Sequence, residues 1–203
     1  MSIADYSARL GIGSPTSLLS DFPGEASELA YLREWAPEYR RTSWRDGLHA
    51  AGVSDADVLA VPLSDAFRQR FCQRCPPYAD AAPSLETLAP HYALAVATNG
   101  PVDVQRIKLT VSGLRQFFSV VIASSELGWG KPDRRIFDAA VAQLGTPPAD
   151  VLVVGDSLEK DVAGARAAGL RCAWVNRTGA EHDPARMPDA EIRSLAELPA
   201  LLR

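Results

Sequence analysis

Val151-Leu152-Val153-Val154-Gly155-Asp156-Ser157-Leu158-Glu159-Lys160-Asp161 decides how this chain folds. Four apolar residues run into Gly-Asp-Ser, and a stretch with helical spacing, Leu158–Ala168, follows at once. An apolar run of this kind suits a strand covered on both faces. A switch to helical spacing directly after it is the strand-to-helix step of a crossover unit. The same alternation extends outward. Cys172–Val175 follows, and Ala93–Ala97 and Val120–Ala123 precede, with helical stretches at Val102–Arg115 and Asp133–Leu144. Gly145 and Gly169 each close a helical stretch, where a left-handed terminating residue is expected. The prediction is an α/β fold with a parallel sheet flanked by helices.

In open parallel sheets, ligands lie beyond the carboxyl ends of the strands. Thr98-Asn99-Gly100 follows the first run, Gly130-Lys131-Pro132-Asp133 comes shortly after the second, and Gly155-Asp156-Ser157 with Asp161 follows the third. A hydroxyl, an ammonium and two carboxylates thus converge on one sheet edge. A small hydroxyl and backbone N–H groups at a strand-to-helix turn cradle phosphate. A lysine neutralises charge on a transferring phosphoryl group, and carboxylates hold Mg²⁺ together with water and substrate oxygens. Taken singly, each motif has a plainer reading. Thr-Asn-Gly forms turns, Lys-Pro starts a helix with Pro132 in its first turn, and Asp156 caps the helix after it. It is their order along one sheet that points to chemistry.

Before about residue 83 the chain reads as helices. Leu29, Leu32, Trp35 and Tyr39 line one face within Gly24–Arg41, and Trp44–Ala51 and Leu63–Cys75 repeat the pattern. Pro76, Pro77 and Pro83 mark the boundary between a mainly helical part, residues 1–82, and an α/β part, residues 83–203.

The chain has 203 residues, 47% hydrophobic and 23% charged, with a net charge of −4, which argues against nucleic acid or an anionic membrane as partner. It shows no targeting segment or membrane span, and its three cysteines follow no disulfide spacing, so a cytoplasmic home is the expectation. Cys72 and Cys75 have metal-pair spacing but no second pair, and read as helix cysteines. His49, His91 and His182 are scattered, Gly11-Ile12-Gly13 reads as a turn, and Trp129 either lines the site mouth or covers the sheet edge.

The motifs together resemble the haloacid-dehalogenase-like (HAD) hydrolases. Ala95–Gly100 is similar to the family's Ser/Thr motif, Lys131-Pro132-Asp133 to its lysine motif, and Val151–Asp161 to its acidic motif. The resemblance runs from about Leu85 to Gly179, and residues 1–82 resemble the family's helical cap. It implies an Mg²⁺-dependent phosphomonoester hydrolase working through an aspartyl-phosphate on a small phosphorylated metabolite, such as a nucleotide or sugar phosphate. Thr98, Asn99, Gly100 and Lys131 would then bind the phosphate, and Thr98, Lys131 and Asp156 would serve catalysis. Asp156 would ligate Mg²⁺, and Asp161 would order the metal's second shell or the lysine. Asn99-Gly100-Pro101, Gln105, Lys108-Leu109, Gly113-Leu114 and Phe118 are similar to the branch holding pyrimidine 5′-nucleotidases and N-acylneuraminate-9-phosphatases.

One family feature is not found. Members open with an apolar strand ending in Asp-x-Asp, whose first Asp is the nucleophile. Here Asp5 stands alone, and Asp55-Ala56-Asp57 has the spacing but reads as a helix start. The expectation is a chain that starts just after that motif, as if about twenty residues had been removed. The mid-sheet strand would then be missing and its neighbours would face a gap or pair in a new order. Such a chain would be inactive. A catalytically dead phosphate-binding module and a metal-independent dehalogenase are the alternatives.

Overall fold

The computed structural model describes residues 3–12, 15–181 and 187–202. The five described strands form two parallel sheets. β1 (Ala95–Thr98) pairs with β2 (Val120–Ala123), and β3 (Leu152–Gly155) pairs with β4 (Arg171–Val175), which pairs with β5 (Ala190–Ile192). β1 and β3 do not pair with each other. Residues 3–9 form a helix, α1 (Ile3–Arg9), and contribute no strand. β5 went unread because Ala-Glu-Ile is short and carries a charge at its centre.

The two sheets share one core. Ile136 and Phe137 of α7 (Arg134–Leu144) are buried in it with Val120 and Ile122 of β2, Ala165 of α8 (Ala163–Ala167), and Cys172 and Trp174 of β4. Ala95 and Ala97 of β1 and Val153 of β3 pack on the same cluster. Ala95 and Ala97 alternate along β1 and so face one layer, as a period of two requires. Gly145 and Gly169 follow α7 and α8 with φ of +66° and +72°, the left-handed stops read from the sequence.

Two long helices precede this part, α2 (Ser27–Ala50) and α3 (Ala56–Gln73). The stretches read as Gly24–Arg41 and Trp44–Ala51 are one continuous helix. Glu38 accepts from Arg41 and Thr42 across the join, which holds no helix-breaking residue. Asp55 occupies the N-cap position of α3, with Asp57 in its first turn. Both helices grip the peptide between them and α1: Arg40 donates to the carbonyls of Leu18 and Ser20, and Arg68 donates to Leu19 and pairs with Asp21. Ser20 Oγ then donates to Asp103 (2.7 Å) of α5 (Val102–Val111), tying the long helices to the sheet.

Two local readings change. α7 begins at Arg134 with Asp133 as its cap, accepting from Arg135 N (3.0 Å), so Pro132 lies outside the helix, after a cis Lys131–Pro132 bond. Beyond β3, Ser157 caps the turn Leu158–Val162 by accepting from Lys160 N, which leaves Asp156 free of a capping role.

Candidate active site

The carboxyl ends of β1 and β3 bring the predicted residues to one edge. Asn99 makes the central connection. Its Nδ2 donates to the Lys131 carbonyl (2.9 Å), and its Oδ1 accepts from Lys131 N (2.7 Å). One planar amide satisfies both backbone groups of Lys131 and binds the β1 turn to the lysine loop. Gln105, on the first turns of α5, holds the Asn99 carbonyl (3.0 Å). Gly100 donates its N–H to Ser124 Oγ (2.8 Å), so that N–H is not offered to a ligand, and the Asn99 amide is likewise engaged. Both groups thereby tie the turn after β1 to the lysine loop and to Ser124. Thr98 lines a cavity of about 210 Å³ with Val96, Cys75, Pro77, Gln105 and Lys108.

Ser124 escaped the sequence reading. It is fully buried at the start of the short helix α6 (Ser124–Leu127), accepting from Gly100 N and donating to the Leu10 carbonyl (2.6 Å). Ser125 Oγ accepts from Val102 N (2.9 Å). The signal was two hydroxyls placed directly after the apolar run Val120–Ala123. Opposite them, a side chain on Gly130 would press against the Leu10 carbonyl (2.6 Å), so the lysine loop and residue 10 approach only through glycine.

Lys131 Nζ donates to Asp161 Oδ1 (2.7 Å), with the two side chains 18% and 6% exposed. Asp161 also accepts from Ser157 N (3.0 Å) and lies against Gly155, where any β-carbon would strike its carboxylate. Beneath this pair, burial, followed by the Asp161 and Asp189 charges, pushes the Cys172 thiol up to about 12, so it is a neutral core residue. Asp156 is exposed. Its backbone carbonyl accepts from Trp174 Nε1 (3.0 Å), and its side chain makes no hydrogen bond among the described residues.

A second polar cluster flanks Asp156, and it too was missed. Asp80, in the N-cap position of α4 (Ala81–Leu88), accepts from both terminal nitrogens of Arg177 (2.9 and 3.0 Å), from Ser194 Oγ (2.8 Å) and from Leu195 N (2.9 Å). Arg177 hydrogen bonds, then those of Leu195 and Ser194, hold the Asp80 carboxyl far below the usual carboxylate range. Arg177 also stacks on Tyr78 (4.2 Å) and feels the Asp156 charge.

Among the described residues, no group of three or more His, Cys, Asp or Glu is placed to hold a metal ion. Asp161 is committed to Lys131. Asp156 alone at this edge fits an ion such as Mg²⁺, which takes one or two protein carboxylates and fills its shell with water and substrate oxygens. Of the remaining features, Trp129 lies between Arg9 (4.5 Å) and Arg135 (3.1 Å), and Gly11 has the φ of a turn (+65°). Gly13, His182 and the Cys72 side chain fall outside the described residues. No described helix is long and apolar enough to cross a membrane.

The chain is an α/β protein whose parallel sheets are flanked by helices, with the candidate groups beyond the carboxyl ends of its strands. The chain belongs to the haloacid dehalogenase-like hydrolase family, whose profile matches residues 2–169. It is 41% identical over 172 residues to a phosphoserine phosphatase of Thermus thermophilus, covering 84% of this chain and 68% of that protein. It is 35% identical over 141 residues to the pyrimidine 5′-nucleotidase YjjG of Escherichia coli, covering 69% and 63%. Among solved structures, it resembles a HAD phosphatase from Thermococcus onnurineus (TM-score 0.63, 30% identity, 98% of this chain and 86% of that one). It likewise resembles a 2-haloacid dehalogenase from Pseudomonas syringae pv. Tomato (TM-score 0.62, 30% identity, 98% and 90%). The chain spans about two thirds of the length of these curated relatives.

Proposed function

We propose that this chain is the phosphate-holding and cap portion of a phosphomonoester hydrolase, with Thr98 and Lys131 contacting the phosphoryl group. The observation that carries this reading is the Asn99–Lys131 bracket, which fixes the strand hydroxyl and the ammonium on one edge. Lys131, held by Asp161, presents its charge from a pre-set position, so little reorganisation accompanies phosphate entry. Thr98 Oγ donates to a phosphate oxygen. Asn99, Gly100 and Ser124 keep that loop in place through their internal hydrogen bonds. Mg²⁺, when bound at Asp156, supplies charge neutralisation for the phosphate oxygens. Residues 1–82 act as the cap, and residues 83–203 as the core that carries this edge. The named relatives support a small phosphorylated metabolite as substrate.

Asp5 lies within α1 and Asp55 at the N-cap of α3, so neither acid stands at the carboxyl end of a strand beside Thr98 and Lys131. Their placement favours a chain that binds phosphate without turning it over. Calorimetric titration with inorganic phosphate tests the binding, and Thr98→Val and Lys131→Met should each weaken it at least tenfold. Unchanged affinity in both variants would overturn the assignment. Hydrolysis of an aryl phosphate with Mg²⁺ should not exceed that of Asp156→Asn. Turnover lost in that variant would show that a carboxylate of this chain does reach the phosphorus. Halide release from 2-chloropropionate without metal would favour the dehalogenase reading, which the Pseudomonas structure keeps in view.

A further inference from the structure

Arg9, the last residue of α1, is built into the rim of the site. Its carbonyl accepts from Gly130 N (2.9 Å), one residue before Lys131, and the next carbonyl, Leu10, accepts from Ser124. Its guanidinium lies over Trp129 (4.5 Å) and Tyr6 (5.2 Å). Arg135 also lies over Trp129 (3.1 Å), so one indole contacts two cations. The other cations of this rim are matched: Arg135 binds Asp133 (2.6 and 2.8 Å) and Lys131 binds Asp161. Arg9 forms no ion pair among the described residues. Its charge reaches Glu28, which is half-buried and accepts from its own neighbour Ser27 (2.9 Å). Among the described residues, two buried side-chain polar atoms have no hydrogen-bond partner, and both are here: Arg9 Nε and the Tyr6 hydroxyl. Buried donors left open are unfavourable unless a ligand or water meets them.

We infer that Arg9 is a specificity-determining cation, taking a second oxyanion (a carboxylate or a further phosphate) on the phosphorylated substrate. This rests on the proposed binding of the first phosphate at Thr98 and Lys131. Stacking on aromatic rings fixes the planar fork before a ligand arrives, and such a fork meets an oxyanion with two parallel hydrogen bonds.

Titration calorimetry with three probes tests the inference: glycerol 3-phosphate, 3-phosphoglycerate, and the 1,3-bisphosphate of propanediol. The last two should bind about tenfold more tightly than the first, and the tighter of them identifies the second oxyanion. Arg9→Gln should remove the preference while leaving glycerol 3-phosphate affinity within twofold. Arg9→Lys, which keeps the charge without the planar stack, should retain a reduced preference. Equal affinity of the unaltered protein for all three probes would overturn the role of Arg9. So would a preference that survives Arg9→Gln. Failure of every probe to bind would overturn the phosphate site together with it.

Discussion

β1 and β2 form one parallel pair, and β3, β4 and β5 a parallel trio; in both, the strand that ends in a candidate site residue is the less buried. β1 is only partly buried along its length, whereas β2 is mostly buried. β3 exposes Val154 at 38%, whereas β4 is buried from Cys172 to Val175. Among the described residues, each site strand leaves one edge unpaired. The halves are therefore joined by side chains rather than by a backbone ladder. Among the joints are the α7 core beneath both sheets and the Lys131–Asp161 pair at the edge. Where a ladder is absent, side-chain contacts must supply the cooperativity.

Cutting the lower joint should have the largest effect. Ile136→Ala, at a fully buried position of α7, should cost about 3 kcal/mol, within the usual range for such deletions. Urea unfolding followed by both tryptophan fluorescence and circular dichroism should still show one shared transition. Two separated transitions would mean that the halves fold independently.

Lys131→Met cuts the upper joint and leaves Asp161 buried without its counter-ion, a loss of about 3 kcal/mol at neutral pH. Lys131→Met combined with Asp161→Leu should recover much of that stability but none of the phosphate binding. Such a split between stability and binding would separate the two duties of this pair.

The Asp80 cluster ties α4 to the segments that follow β4 and β5, so Asp80→Asn should destabilise the fold by roughly 1–2 kcal/mol through lost charged hydrogen bonds. Its pH dependence follows from the sign of the shift. The folded-state pKa is depressed, so the stabilisation is complete above the unfolded carboxylate value of about 3.9 and fades as pH falls below it. Between pH 7 and 4 the difference in urea midpoint between the unaltered protein and Asp80→Asn should stay constant, and below pH 4 it should shrink. A gap that instead widened in acid would contradict the ion-pair assignment.

The smallest effect sharpens the contrast within the trio. Val154→Thr on β3 should change stability by less than about 0.5 kcal/mol, whereas Val175→Thr on buried β4 should cost about 1–2 kcal/mol. Equal costs would show that β3 is better covered than its exposure suggests.

The four apolar runs and their order were legible because buried parallel strands leave a distinct apolar text, and the strands begin within two residues of the predicted positions. Thr98, Asn99, Lys131, Asp156 and Asp161 were legible because each follows such a run or the loop after it. What Asn99 and Gly100 do there was not legible. Their partners, Lys131 and Ser124, are 32 and 24 residues away, and only the folded edge shows that these groups are already engaged. Asp80 was hidden for the same reason, since Arg177 and Ser194 lie 97 and 114 residues downstream. Arg9 carries no signal in the sequence, because its ring contacts and its open Nε exist only in the folded chain.

Every strand pairing described here is parallel, from Ala95 opposite Val120 to Ala173 opposite Ala190. No pair can therefore form as a hairpin, and each must wait for its crossover to be synthesised and folded. On a ribosome, β1 and β2 with α5 emerge as a finished pair while β3 is still inside the tunnel or not yet made. α7, which seals the underside of that pair, comes next. Translation speed between Gly130 and Leu144 thus sets how long the apolar floor of the first half stands uncovered, which makes this short interval the point of greatest exposure to misassembly.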